Sequence, residues 1–553
     1  MTGRRQEPVP PVGDGTRSVP PLGDGTRFAP PVGEGSRSVP SLLAELDELT
    51  ARWRLGAAAA LDPAGLTAEQ ALRVAMRLSV RLGIDVRVPD VLGSGSLPRL
   101  IERRRVSGGG AGEPVPAGGA KKALPGGRAG EAVPLSHAQQ RFLLDEGIAP
   151  AQDDNHVVLA YLLSGPLDPG ALAAAYDDVV ERHPILRTVH CWDDELGPVQ
   201  RVLPADPGRS PLDGPVPAPA GRQAGEAAAE LCAGWWEQPF DLERQPPLRA
   251  RLAELGPDAW LLCLSLHHIV FDGQSEPILL RELGAAHAAR AKGRPPRWPA
   301  IPGYHHYAQW EHDMVDTWAA RDLPFWRDLL GSPPPALLPA SDLTEQAPRQ
   351  EHEIALDPAA THDLLAAVRT WGGFPLAAVL HGTARALGRV FDAGRLNLAT
   401  VSSGRYEGVF DPVVGCFVNP IVFPFAPARD GCPGEGVQET ARMALRGLRH
   451  ARTPYDRVVR ALRPGTARRP LYEVMVGLQA PRQAGPFGGT EITVEPVRVR
   501  APRTTAPLIV EVEPQPDGGW TLSARWRTDV VDAPAGRAVV SELADLLTGL
   551  RAR

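Results

Sequence analysis

The sequence predicts an α/β protein preceded by a small helical domain, and three observations carry that expectation. An apolar run, Ala259-Trp260-Leu261-Leu262-Cys263-Leu264-Ser265-Leu266, reads as a buried strand. A helix is expected just after it: Ser275 can cap, Pro277 suits a first turn, and Gly293 followed by Arg294-Pro295-Pro296 stops it. Upstream, in residues 41 to 105, apolar positions recur at helical spacing. At 553 residues the chain has room for several domains.

Residues 10 to 39 hold a ten-residue repeat, PPVGDGTRSV, PPLGDGTRFA and PPVGEGSRSV. It is rich in Pro and Gly with few apolar positions, so residues 1–40 are expected to be a disordered tail. Leu42, Leu43, Leu46 and Leu49 then fall on one helical face. A second periodic stretch runs from Ala68 to Leu82 and stops at Gly83, and a short third follows Ser96. Residues 106–130 are rich in Gly, Pro and Ala and should form a flexible linker. Further on, Ser332-Pro333-Pro334-Pro335 interrupts the chain and places a break near 310 to 350. Thr505-Ala506-Pro507-Leu508-Ile509-Val510-Glu511-Val512 reads as a strand.

Composition narrows the function. Lys and Arg number 59 against 65 Asp and Glu, a net charge of −6, which does not suggest a nucleic-acid binder. No apolar run approaches the length of a membrane span, and the N-terminus lacks an apolar signal core. Cys191, Cys232, Cys263, Cys416 and Cys432 are scattered without a C-x-x-C pair, and read as reduced, mostly packed thiols in a cytoplasmic protein.

The most specific stretch is His267-His268-Ile269-Val270-Phe271-Asp272-Gly273, where the apolar strand gives way to a loop. Neutral imidazole accepts protons at physiological pH. Neighbouring side chains on an extended chain point to opposite sides, so only one histidine is expected to face a cavity. The pair lacks the spacing and partners of a zinc site. Asp272 can orient a ring or form a buried ion pair. Gly273 lets the backbone turn sharply or a ligand approach closely. The alternative is two packed or solvated histidines at a strand end.

These residues, with others in order, resemble the condensation domains of nonribosomal peptide synthetases, within the chloramphenicol-acetyltransferase-like superfamily. Pro134-Leu135-Ser136-His137-Ala138-Gln139-Gln140-Arg141-Phe142 is similar to the family's S-x-A-Q-x-R segment, and Arg182-His183-Pro184-Ile185-Leu186-Arg187-Thr188 to its R-H-x-x-L-R-T segment. His267 to Gly273 fills H-H-x-x-x-D-G. Tyr304 to Trp310 resembles Y-x-D-Y-A-x-W, with His306 where an acid is usual. Phe325-Trp326, Gly404-Arg405, Gly415-Cys416-Phe417-Val418-Asn419 and Arg469-Pro470-Leu471-Tyr472-Glu473-Val474-Met475 resemble later segments. The resemblance covers about residues 131 to 553 and implies two α/β lobes in a V, an N-lobe at 131–312 and a C-lobe at 313–553, with the site between them. It implies that the strand after 505 belongs to the segment bridging the lobes.

By the same resemblance His268 is the catalytic histidine, its role argued between general base and positioning. Gly273 leaves room beside a thioester and offers its N–H to a developing oxyanion. His267 is structural, and Asp272 pairs with Arg405 to hold the motif. Ser136 and Asn419 are secondary candidates, expected to pack or shape loops. Arg141 and Arg187 are expected in ion pairs that fix the lobe. Residues 41–105 resemble a peptidyl carrier domain, but Ala68 stands where a carrier needs its phosphopantetheine serine, so the unit is expected to be non-loadable. Residues 51 to 105 hold ten Arg and five acids. That excess suits docking onto a partner synthetase enzyme.

The expected function is a free-standing condensation enzyme that transfers a carrier-tethered aminoacyl or acyl thioester to an amine. It needs no permanent cofactor; the phosphopantetheine arms belong to donor, and in some cases acceptor, carrier proteins. Ester formation, or transfer to a soluble amine or alcohol, is the second reading. A catalytically silent module that recruits carriers or partner enzymes is the third. Neither nucleic acid nor membrane is expected as a partner.

Overall fold

The computed structural model describes residues 94–106 and most of 131–550, with isolated positions between 40 and 91. The repeat of 10–39, the position of Ala68, the linker 107–130, Cys432 and Arg469-Pro470 lie outside the described residues. Of the expected N-terminal helices the third is described in full, α1 (Leu97–Val106), where Ser96 Oγ accepts from Arg99 N at 3.4 Å. Val74 and Leu78, one turn apart in the second stretch, are both buried.

The first lobe runs through β1 (Ala132–Pro134), α2 (His137–Ile148), β2 (His156–Ser164), α3 (Pro169–Arg182), β3 (Thr188–Asp193), β4 (Gly197–Val202), β5 (Leu212–Pro217), α4 (Ala224–Ala233), β6 (Leu248–Gly256), β7 (Ala259–His267) and α5 (Ser275–Arg290). The long α6 (Tyr304–Leu330) follows. The second lobe contains β8 (Ala347–Leu356), α7 (Pro358–Thr370), α8 (Pro375–Val390), β9 (Leu396–Ser402), β10 (Asn419–Phe425), α9 (Pro433–Arg449), α10 (Tyr455–Leu462) and β11 (Val474–Leu478). Last come β12 (Gly485–Pro486), β13 (Thr493–Val497), β14 (Arg503–Thr504), β15 (Leu508–Pro514), β16 (Trp520–Arg527) and α11 (Ala533–Thr548).

Each lobe is built on a mixed sheet. In the first the order is β12-β13-β2-β7-β6-β5, with β5 and β6 parallel and the other pairs antiparallel. In the second it is β10-β9-β11-β15-β16-β8-β14, with β11 parallel to both neighbours. Strand β7 is apolar from Ala259 to Leu264 because both its faces are covered. Leu262, Leu264 and Leu266 join the core under α3 and α5. Leu261 and Cys263 pack on the other face with Trp235 and Trp236. Strand β15 buries Leu508, Val510 and Val512 at the alternate spacing of a strand.

Three expectations are corrected. Ser275 is not the helix cap; Gln274 precedes the first turn, and the Asp272 carboxylate accepts from Ser275 N at 2.9 Å. The strand after residue 505 lies inside the second sheet, between β11 and β16. The segment that crosses back is instead β12–β13, which pairs with β2 through Val494–Leu163 and neighbouring residues. The triple proline follows the end of α6, and that helix runs unbroken through residue 312. Among the described residues no single helix is long and apolar enough to cross a membrane.

Several histidines are built in as neutral rings. His156, His190, His305 and His381 each leave a buried ring nitrogen without a hydrogen-bond partner. Charging such a ring would bury an unsatisfied donor. Burial accordingly lowers His156, His305 and His381 to about 4 and His190 to about 3. In the unfolded chain these rings take up a proton near 6.5, so their contribution is intact above that pH and is lost as pH falls toward 4. His137, Asp145 and Glu311 oppose this, since their pKa values are raised, but His183, His268, His287 and His306 are lowered as well and act with the four. The Tm at pH 5 should therefore lie below that at pH 7 by differential scanning calorimetry. A Tm equal or higher at pH 5 would contradict the neutral-histidine account.

Candidate active site

Strand β7 delivers His267 and His268 to the junction of the lobes. His267 ends the strand, almost wholly buried. Its Nδ1 accepts from Ile269 N at 3.0 Å, and its Nε2 lies 3.2 Å from Glu146 Oε1. With Nδ1 as acceptor, Nε2 carries the proton toward Glu146. Both ring nitrogens are committed to structure.

His268 begins a short 3-10 turn, His268–Val270, which rotates it away from His267. Its ring stacks on Phe142 of α2 at 4.6 Å between centroids, and its Nδ1 lies 3.9 Å from Cys416 Sγ. The crowding of protein around this ring lowers its pKa to about 4, aided by the charge of Arg141 and opposed by Asp272. The imidazole is neutral at physiological pH, with Nε2 remote from its Cys416 contact.

Asp272 and Arg405 form the expected pair, both buried. Arg405 Nη1 donates to Asp272 Oδ2 at 2.7 Å, and Nη2 to Oδ1 at 3.0 Å. Asp272 Oδ1 also takes Ser275 Oγ at 2.8 Å, and Oδ2 takes Phe417 N at 3.0 Å. Arg405 Nη2 reaches Ser275 Oγ and the Val413 carbonyl, each at 3.1 Å, and the guanidinium lies 4.1 Å from the Phe417 ring centroid. The approach demands glycine just before the arginine. Gly404 has φ +66°, and a Cβ there would run into the Phe417 carbonyl.

Gly273 is exposed, its φ is outside the left-handed region, and a Cβ would meet nothing within 4 Å. A sharp turn is thus not its reason; open space beside the motif is what it leaves. Ser136 is buried, within 2.7 Å of Tyr304 OH, while Tyr304 OH donates to the Cys416 carbonyl. Asn419 Nδ2 donates to the Ala451 and Thr453 carbonyls at 2.9 and 3.0 Å, and its Oδ1 accepts from Tyr455 N at 2.8 Å. Both shape loops.

The expectation for Arg141 and Arg187 is corrected. Arg187 donates to the Leu203 carbonyl and forms no ion pair among the described residues. Arg141 lies 4.9 Å from the Phe142 ring centroid and lines a cleft with His137, Phe417, Asn419, Tyr455 and Asp456. His268 does not line this cleft; its ring stacks on Phe142, within the field of Arg141. Sequence reasoning missed Phe142, Cys416 and Ser275. Phe142 and Cys416 stand inside recognised segments but at positions without chemical signature, and Ser275 looked like a helix cap.

A family model described as Condensation domain matches residues 130–550. The chain is 30% identical over 423 residues to phosphinothricin tripeptide synthetase PhsB of Streptomyces viridochromogenes, covering 75% of this chain and 35% of that protein. It is 30% identical over 360 residues to a dimodular nonribosomal peptide synthase of Bacillus subtilis, covering 62% of this chain and 15% of that protein. It therefore spans about a third or less of these relatives. Among solved structures, the complex of the X-domain and OxyB from teicoplanin biosynthesis matches with 26% identity and a TM-score of 0.65, over 78% of this chain and 96% of the matched chain.

Removing one partner of a buried pair strands the other charge, at a cost on the order of 3–5 kcal/mol. Asp272→Ala and Arg405→Ala should each destabilise by about that amount in urea unfolding, and the double variant by less than their sum. Strict additivity would refute the coupling.

Proposed function

The chain belongs to the condensation-domain family, and on that footing we propose that it transfers a carrier-tethered aminoacyl or acyl group from a phosphopantetheine thioester to an amine, forming an amide. The supporting observation is the complete motif held by the buried Asp272–Arg405 pair, with a neutral His268 stacked on Phe142. An attacking amine must lose protons before the adduct collapses to an amide, while the thiolate leaves readily. A ring held at about 4 is a weak base toward an ammonium ion. It suits receiving a proton from the far more acidic tetrahedral adduct, or a hydrogen bond from the amine. This favours orientation and proton relay over initial deprotonation. Gly273 leaves room for the thioester in this reading, and residues 41–105 serve as a docking unit for a carrier or partner enzyme.

A silent recruitment module is the competing reading, favoured by the likeness to an X-domain in complex with OxyB. The intact His267, His268, Asp272 and Gly273 weigh against it.

Candidate loaded carriers and amines, followed by mass spectrometry, separate the two. His268→Ala should lower transfer by about 10²–10⁴-fold with the circular dichroism spectrum unchanged. Near-wild-type transfer would remove His268 from the chemistry, and no transfer by the intact protein to any tested acceptor would favour recruitment. His268 loses its neutral form only as pH falls through about 4. The rate should then show no inflection near 6.5 that disappears in His268→Ala; such an inflection would contradict the lowered pKa.

A further inference from the structure

Helix α2 carries two chemically different groups into the same cleft. His137 and Arg141 stand four residues apart, on one helical face and about 5–6 Å from Cβ to Cβ. Ala138 between them leaves the floor open. Among the described residues no carboxylate lies within ion-pair distance of Arg141, whose charge acts on Asp145 one turn further along the helix, whereas the other cleft arginine, Arg452, is paired with Glu407 at 3.1 Å. His137 Nδ1 lies 2.9 Å from Asp456 Oδ1. A carboxylate only accepts, so Nδ1 carries the proton and Nε2 keeps its lone pair. The backbone of His137 is fixed separately, its N–H donating to Glu311 Oε2 at 2.7 Å.

We propose that this cleft is the acceptor site for a free amino acid, with Arg141 taking its carboxylate and the His137–Asp456 dyad its amino group. The inference deepens, and rests on, the transferase reading above. A fork of guanidinium donors matches a carboxylate in two parallel hydrogen bonds. The acceptor's ammonium gives one proton to His137 Nε2. The nitrogen lone pair then attacks the thioester carbonyl, the C–N bond forms and the C–S bond breaks. The second nitrogen proton leaves with the thiolate as thiol. Burial lowers the basicity of His137, but the hydrogen bond and charge of Asp456 outweigh it and hold the ring above 6.5. It is thus a stronger proton acceptor than His268.

The test is calorimetric titration of the full chain, without donor, using the proteinogenic amino acids one by one and the carboxamide of each that binds. At least one amino acid should bind, and its amide should bind about tenfold more weakly or worse. Arg141→Gln should erase that preference and Arg141→Lys restore part of it, each with a wild-type circular dichroism spectrum. If either variant fails to fold, the acid–amide comparison on the wild type decides. Equal binding of acid and amide, or no binding by any amino acid, overturns the proposal. The two readings fail separately. Transfer to a carrier-bound amine without amino-acid binding would sink the acceptor site alone, and binding without transfer to any acceptor would sink the transferase reading.

Discussion

The geometry of this site depends on one buried ion pair between segments far apart in the chain. Asp272 sits just beyond the end of β7 in the first lobe, and Arg405 just beyond the end of β9 in the second. A buried pair of this kind adds little net stability, because desolvation offsets the attraction. What it adds is position. The carboxylate is met by the guanidinium fork, the Ser275 hydroxyl and two backbone N–H groups, so it has one favourable placement. That placement fixes the turn carrying His268, and the Phe417 N–H ties in the strand-flanking segment that contains Cys416. Further polar contacts join distant segments, including Asp153 with Arg503 at 2.9 Å and His137 with Asp456 at 2.9 Å.

The electrostatics divide the labour among histidines. His267 is spent on structure, His268 is kept neutral by its surroundings, and His137 is made more basic by a carboxylate. One residue type thus covers different proton tasks because desolvation and a nearby charge act in opposite directions.

Much of this was legible in the sequence, and the reasons differ by residue. The apolar run 259–266 marked β7 because a strand covered on both faces has no polar side to show. The helix after Gly273 was legible from its terminators, but its cap was not. Asp272 and Ser275 are both good capping types, and only the fold shows that the carboxylate serves the cap and the arginine together. The Asp272–Arg405 pairing came from family resemblance, since nothing local links residues 133 positions apart. The crossover was misplaced because β15 has the stronger strand pattern, while β12–β13 is short and interrupted by Pro486 and Pro496. Arg141 was misjudged because a charge in a motif suggests a partner, and whether one lies within reach is a property of the fold.

The single-turnover transfer rate of Arg405→Lys tests the central claim most directly. Lysine keeps the charge but replaces the planar fork with one ammonium, which cannot hold both Asp272 oxygens, Ser275 and the Val413 carbonyl in the same arrangement. If the pair acts by positioning, the variant should fold, with unchanged circular dichroism, and transfer about 10²-fold more slowly. A folded Arg405→Lys protein that transfers at the wild-type rate would contradict the account.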